Sequence, residues 1–302
     1  MLFSILIANY NNGHFFKDCY QSIISQTYAN WEVIIVDDCS TDDSVSVIKQ
    51  IIGDDNRFKF FFNKENKGCG YTKNKCAKLA TGEISGFLDP DDALKPDALE
   101  LMVDLHKKNE DISIITSKYE LVDLEMKFIE NGSHGGSIPN NKSYLTYGIG
   151  AMTHFATFKR KKYLRTSGID PKMKRAVDQD LYFKMEEQGQ LMFLDKVLYQ
   201  YRVHQHSISN NENLFKAQYW HFYAIKKAYR RRMRLHLKID NFSKEYIKEY
   251  ASNYYLERFK NVKHSKKFRA KYYFLLKAIL ANPFHRTELK IKSLILLIIG
   301  RI

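Results

Sequence analysis

Ile84-Ser85-Gly86-Phe87-Leu88-Asp89-Pro90-Asp91-Asp92 is the stretch that decides how this 302-residue chain is read. Ile84 to Leu88 is a short apolar run, the pattern of a strand buried on both faces. Three carboxylates, Asp89, Asp91 and Asp92, follow within four positions, and Pro90 cannot continue a ladder. Carboxylates that close repel one another unless a cation sits between them. Hard oxygen ligands suit Mg²⁺ or Mn²⁺. Open α/β sheets place their ligands beyond the C-terminal ends of such strands. The turn therefore reads as a holder of a divalent cation with something anionic on it.

Upstream, the same texture repeats. Phe3 to Ala8, Trp31 to Val36 and Phe58 to Phe62 are short apolar runs that predict strands. Between them lie helical patterns over His14 to Thr27 and Asp42 to Ile52, the second with Ser40 or Thr41 as a candidate cap. A helix from about Tyr71 to Leu79 precedes Ile84. Strands alternating with helices predict a mostly parallel sheet with right-handed crossovers. Asp37-Asp38 and Asp89 to Asp92 both fall just past strand ends, so one sheet edge should carry both acidic groups. A nucleotide fits such an edge, although neither the dinucleotide nor the P-loop fingerprint is present.

Downstream, Pro96 to Asn109 reads as a helix with Pro96 in its first turn. Ile112 to Thr116, Thr157 to Lys161 and Val197 to Val203 read as strands. Asn131 to Ser143 is rich in Gly, Ser and Asn and reads as a mobile loop over the site. A helix over Asp178 to Gln188 begins with Asp178 and Asp180, which on the residues alone could simply be favourable charges at a helix N-terminus. His204-Gln205-His206-Ser207 follows the last strand, with His206 read as a surface residue.

The formal charge is +14, and it is unevenly placed. From Glu212 onward there are 22 Lys and Arg against 6 Asp and Glu, whereas the rest is close to neutral. Four helices are expected there, over Tyr219 to Leu235, Phe242 to Lys260, Lys266 to Leu280 and Glu288 to Ile299. The last stretch, LKIKSLILLIIGRI, is apolar between cations, which suits a helix lying on anionic lipid, with a packed helix or a homo-oligomer contact as the alternative. No apolar run reaches the roughly 18 residues of a spanning helix, and Met1 to Ala8 lacks a charged signal region. The chain is expected to be cytoplasmic and peripheral at the inner face of the membrane. Its four cysteines have no zinc-ligand spacing and read as reduced thiols.

Five segments carry a resemblance. SILIANYNN, SIISQTYANWEVIIVDDCSTDDS, NKENKGCGYTKNKCAKLATGEISGFLDPDD, VDQDLYFKM and YQYRVHQHSIS follow one another as in family 2 inverting glycosyltransferases of the GT-A fold, the bacterial surface-polysaccharide type. The similarity runs from Phe3 to about Asn210, so residues 1–210 are expected to be the catalytic domain and 211–302 a helical extension.

The resemblance implies a metal-dependent transfer of sugar from a nucleotide-diphosphate donor, UDP-linked in most relatives, to a hydroxyl of a glycan or lipid-linked acceptor. It implies that Ala8, Asn9, Tyr10, Asp37 and Asp38 meet base and ribose. Asn66, Gly68, Lys73 and Asn74 flank the nucleotide, with Lys73 where most relatives have Arg. Asp89 and Asp91 form the Asp-x-Asp metal motif, with Pro90 between them on the donor and Asp92 beside them. Asp178 is the base, with Val177 in place of the usual preceding Glu, and Asp180 is structural. Arg202 and His204 reach the diphosphate or the metal. One base on the far side of the anomeric carbon suffices for an inverting displacement.

Two other classes match parts of the sequence. A sugar nucleotidyltransferase needs a Gly-rich, basic loop after the first strand, where this chain has NYNNGHF. A nucleic-acid-binding protein is suggested by the basic charge, but no recognised motif supports it, so nucleic acid is not expected as a partner.

Overall fold

The computed structural model describes residues 1–139, 142–148, 150–204, 214–237 and 244–301. His206 and residues 140–141 of the Gly- and Asn-rich loop lie outside them. The chain divides into two compact units, Met1–Asn210 and Asn211–Ile302.

The first unit starts as the sequence predicts: β1 (Phe3–Asn9), a 3-10 turn at Gly13–Phe15, α1 (Phe16–Ile24), β2 (Trp31–Asp37), α2 (Ser44–Ile52), β3 (Phe58–Phe62), α3 (Cys69–Leu79) and β4 (Ile84–Phe87). Every residue of β2 is buried, and only Ala8 of β1 is half-buried. This is why both read as unbroken apolar runs rather than alternating ones. α1 buries Phe16, Cys19 and Ile23 at helical spacing. The cap proposed for α2 is different: Ser40 hydrogen-bonds Asp37 and Thr41 accepts from Asn11, so neither reaches the helix, which begins at Ser44.

The second half is less regular. It holds β5 (Ala93–Leu94), α4 (Ala98–Lys108), β6 (Ile112–Val122), β7 (Phe128–Asn131), α5 (Tyr144–Tyr147), β8 (Thr157–Lys159), α6 (Arg160–Tyr163), α7 (Val177–Glu186) and β9 (Gln190–Arg202). Pro96 precedes α4 instead of opening it. Among the described residues one nine-stranded sheet runs β3-β2-β1-β4-β8-β6-β9-β5, with β7 on β6. β1 to β4 pair in parallel, as expected. β8 then pairs antiparallel to both β4 and β6, and β5 antiparallel to β9, so the sheet is mixed beyond its parallel N-terminal half.

That antiparallel β5–β9 pair matters most for the site. Its register sets Ala93 against Gln200 and Leu94 against Tyr199. The chain entering β5 is the acidic turn, and the chain leaving β9 is Arg202 to His204. Pairing therefore folds the end of β9 back over Asp89 to Asp92.

The second unit holds α8 (Leu214–Arg234), α9 (Lys244–Val262), α10 (Phe268–Ala281) and α11 (Thr287–Ile298). Leu256, Phe259, Leu275, Ala278 and Leu297 form its buried cluster. Among the described residues no helix is long and apolar enough to cross a membrane. All four cysteines are free, Cys19 and Cys76 buried and Cys39 and Cys69 partly so.

Candidate active site

The acidic turn is held from both sides. Leu88 N donates to Leu6 O, extending the β1–β4 ladder by one step, and Asp92 N closes back on Asp89 O at 3.1 Å. Tyr199 Oη accepts from Asp89 N at 3.3 Å and donates to Asp92 Oδ2 at 2.6 Å. Arg202 N takes the other oxygen, Asp92 Oδ1, at 2.9 Å. Asp92 is 1% exposed. Burial, then the charges of Asp91 and Asp89, push its carboxyl well above the usual range. Both oxygens of Asp92, expected beside the metal ligands, accept hydrogen bonds from β9, which ties the turn to that strand.

Asp89 and Asp91 point elsewhere. Asp91 Oδ2 lies 3.0 Å from His204 Nε2. Burial and the Asp89 charge raise the Asp91 carboxyl, with the His204 hydrogen bond opposing them. His204 packs against Phe15, ring centroids 5.0 Å apart, and its Nδ1 is buried without a hydrogen-bond partner. Asp89 faces Lys73, whose Nζ is 3.4 Å from Asp89 Oδ1 and 3.2 Å from Asp178 Oδ1. Lys73 is buried, which alone would favour the neutral amine, but Asp178 and Asp89 outweigh burial and hold its pKa well above the ordinary value.

The meeting of Lys73 and Asp178 has a local cause. Gly68, at φ 85°, opens α3, and Gly70 lets the helix touch the loop before α7. A Cβ at Gly70 would stand 2.2 Å from Met173 O. Instead Gly70 N donates to that oxygen at 3.0 Å, and Asn74 Nδ2 donates to Ile169 O at 2.7 Å. Asn74, expected to flank the nucleotide, thus ties α3 to this loop. Asp178 sits in the first turn of α7, half exposed, while Asp180 is fully buried and paired with Lys184 at 2.5 Å.

At the other end of the edge, Asp37 accepts from Asn9 Nδ2 (2.7 Å), Ser40 N (2.8 Å) and Ser40 Oγ (2.6 Å). Asp38 accepts from Asn63 Nδ2, Lys67 N and Gly68 N at 2.7 to 2.9 Å. Both acids are buried and shape the loops around them. Asn9 Oδ1 is a buried acceptor without a partner there. Tyr10 and Asn66 are exposed, and Ala8 is half-buried in β1.

Arg202, expected at the diphosphate or the metal, is buried among side chains and carbonyls. It is 2% exposed. Its Nε donates to Asp91 O at 2.8 Å, one terminal nitrogen donates to Leu124 O, and the other pairs with Asp18 Oδ2 at 2.6 Å. The guanidinium lies over the Phe15 ring. These contacts tie Arg202 to the turn and to α1.

Sequence reasoning missed Tyr199, Asp18 and His154. The His154 ring stacks on Tyr199 at 4.8 Å, within the field of Asp89 and Asp178, and burial lowers its pKa. Only the alternation of aromatics in Tyr199-Gln200-Tyr201 hinted at this layer.

This arrangement, with carboxylates from the turn after β4 and from helix α7 around one ammonium, sits on a fold shared with known proteins. The family model described as glycosyl transferase family 2 matches residues 4–165. A chondroitin synthase of Escherichia coli is 32% identical over 221 residues, 71% of this chain and 32% of that protein. The chondroitin synthase of Pasteurella multocida is 29% identical over 267 residues, 88% of this chain and 25% of that one. The Escherichia coli protein named UDP-Glc:alpha-D-GlcNAc-diphosphoundecaprenol beta-1,3-glucosyltransferase WfgD is 32% identical over 155 residues, 50% of this chain and 58% of the relative.

The crystal structure of residues 1–349 of S. aureus TarS in complex with UDP superimposes with a TM-score of 0.64 at 18% identity, covering 94% of this chain and 81% of that one. This likeness is one of fold. The chain belongs to glycosyl transferase family 2. It spans about a third or less of the length of the two chondroitin synthases.

Proposed function

We propose that this chain is an inverting, metal-dependent transferase that moves a sugar from a UDP-linked donor to a hydroxyl of a glycan or lipid-linked acceptor in surface-polysaccharide assembly. One observation carries the reading: a single ammonium, Lys73, joins Asp89 of the turn to Asp178 of α7. That one side chain lies within reach of both carboxylates supports reading them as parts of one site. The names of the relatives support the substrate class, since WfgD is named for a UDP-glucose donor and a diphosphoundecaprenol acceptor, and the similar TarS fold has been crystallised with UDP and with UDP-GlcNAc.

In this reading Asp178 removes the proton from the acceptor hydroxyl as the anomeric carbon is attacked. Lys73 keeps positive charge beside the departing diphosphate. Asn9, with its open Oδ1, and the loops held by Asp37 and Asp38 receive the nucleoside.

The residues also fit a hard divalent cation. Asp91 Oδ2 and His204 Nε2, 3.0 Å apart, have the spacing of neighbouring ligands on an octahedral ion with bonds of about 2.1 Å. Among the described residues no three His, Cys, Asp or Glu side chains form a metal cluster. Asp91 and His204, with Asp89 beside them in the turn, are the residues that would hold such an ion. When bound it neutralises charge on the leaving diphosphate.

The test is Asp178→Asn. Transfer should fall by about 10²- to 10⁴-fold while UDP binding, followed by calorimetry, stays within about twofold. Near-normal turnover would move the base elsewhere.

A further inference from the structure

Helix α11 is built inside out. Its buried residues are Lys290, Ser293 and Leu297. Ile291, Leu294, Ile295, Ile298 and Ile299 are exposed, Ile298 by 68%. Those five positions follow i, i+3, i+4, i+7 and i+8, the spacing of a single apolar face. In a helix that covers a globular core this stripe faces inward, and here it faces out.

The preceding helix does the same. α10 gives Leu275 and Ala278 to the buried cluster, while Phe268, Tyr272, Tyr273, Leu276 and Leu280 stay exposed, as does Phe284 (88%) in the connection to α11. A groove of about 370 Å³ on α11 is lined by Glu288, Ile291, Lys292, Ile295 and Leu296. Single exposed apolar side chains are ordinary, but a contiguous set of this kind marks an interaction surface.

Charge identifies the occupant. Between Lys266 and Arg301 there are nine Lys and Arg and one acid, Glu288. Lys267, Arg269, Lys277, Arg286, Lys292 and Arg301 are exposed. Lys277 lies 5.7 Å from the Tyr273 ring, and Lys292 borders the groove. A second copy of this face would set like charges against each other. An anionic bilayer offers hydrocarbon for the isoleucines and counter-charge for the lysines at once.

We propose that the α10–α11 face lies flat in the interface of an anionic lipid bilayer. The inference rests on the second unit alone and is independent of the chemistry assigned to the first.

The full-length chain should float with phosphatidylcholine vesicles containing about 30% phosphatidylglycerol and bind neutral phosphatidylcholine vesicles about tenfold or more weakly. Raising salt from about 0.1 to about 0.5 M should release much of it. The combined variant Ile291→Ser, Ile295→Ser, Ile298→Ser should lose about tenfold or more of the low-salt binding, with its thermal melt unchanged because those side chains leave the core untouched. Lys277→Glu with Lys292→Glu, which spares the apolar stripe, should reduce binding to anionic vesicles alone. Equal binding by the parent and both variants would overturn the proposal. So would absence of vesicle binding together with a concentration-dependent dimer, seen by light scattering, that the isoleucine variant abolishes.

Discussion

Lys73 Nζ lies 3.2 Å from Asp178 Oδ1, across 105 positions of sequence. It is a buried cation between two carboxylates that are themselves partly open to solvent. Exposed partners contribute little to stability, about 1 kcal/mol or less per pair. The same charge in a cleft where a diphosphate departs is worth far more, about 10²- to 10³-fold in rate. Lys73→Met should therefore lower turnover of a UDP-sugar by about that factor while the melting temperature falls only a few degrees. Lys73→Arg, which keeps the charge but spreads it over a planar fork, should recover part of the rate. A large loss of stability with unchanged turnover in the folded fraction would assign Lys73 to structure alone.

The Asp91–His204 pair gives a separate test of the proposed metal. With His204→Ala one nitrogen donor is gone and Asp91 keeps its carboxylate. The concentration of Mn²⁺ needed for half-maximal turnover should rise about 10- to 100-fold, and excess chelator should silence the parent enzyme until metal is restored. An identical metal response in parent and variant would remove His204 from the metal site.

Arg202 separates a structural role from a substrate role. If it braces the turn, Arg202→Met strands Asp18 and the carbonyls of Asp91 and Leu124, which it now satisfies. Asp18 is 46% exposed and can rehydrate, so the cost falls on the backbone acceptors left unmatched, about 1–3 kcal/mol, and the urea midpoint should fall. Arg202→Lys should not rescue it, because one ammonium cannot span three acceptors on different segments. A residue that only met phosphate would show the reverse, a raised KM with an unchanged midpoint.

The same residue shows how far the sequence could be read. β1 to β4 are continuous apolar runs, so their positions, their parallel order and the acidic edge beyond them were legible from Phe3, Trp31, Phe58 and Ile84 onward. β5 is two residues long, and β6 and β9 continue through polar positions such as Ser117, Lys118, Asp195 and Lys196. No periodicity marks those. The β5–β9 register sets Asp92 against Tyr199 and buries Arg202, and it is a long-range pairing, so a motif at Asp89 to Asp92 could not show these contacts. Lys73 and Asp178 were each legible as candidates. Their contact depends on Gly70 and Met173 touching, which leaves no mark in either segment taken alone.

The far edge of the sheet carries a pH dependence of its own. Glu32, 4% exposed, accepts from Lys59 Nζ (2.6 Å), Ser4 Oγ (2.6 Å), Thr81 N (2.7 Å) and Thr81 Oγ1 (2.8 Å). Burial alone would raise its carboxyl, but Lys59, then Ser4 and Thr81, outweigh burial and hold it at about 2 instead of 4.5. A depressed folded pKa means stability that is complete above the ordinary value and lost as pH falls toward 2. The shift corresponds to roughly 3 kcal/mol. Urea midpoints of the parent should therefore drop between pH 4.5 and 2. Glu32→Gln, which cannot ionise, should start lower at neutral pH and change less across that window. Parallel curves for the two proteins would show that Glu32 does not carry this part of the acid sensitivity.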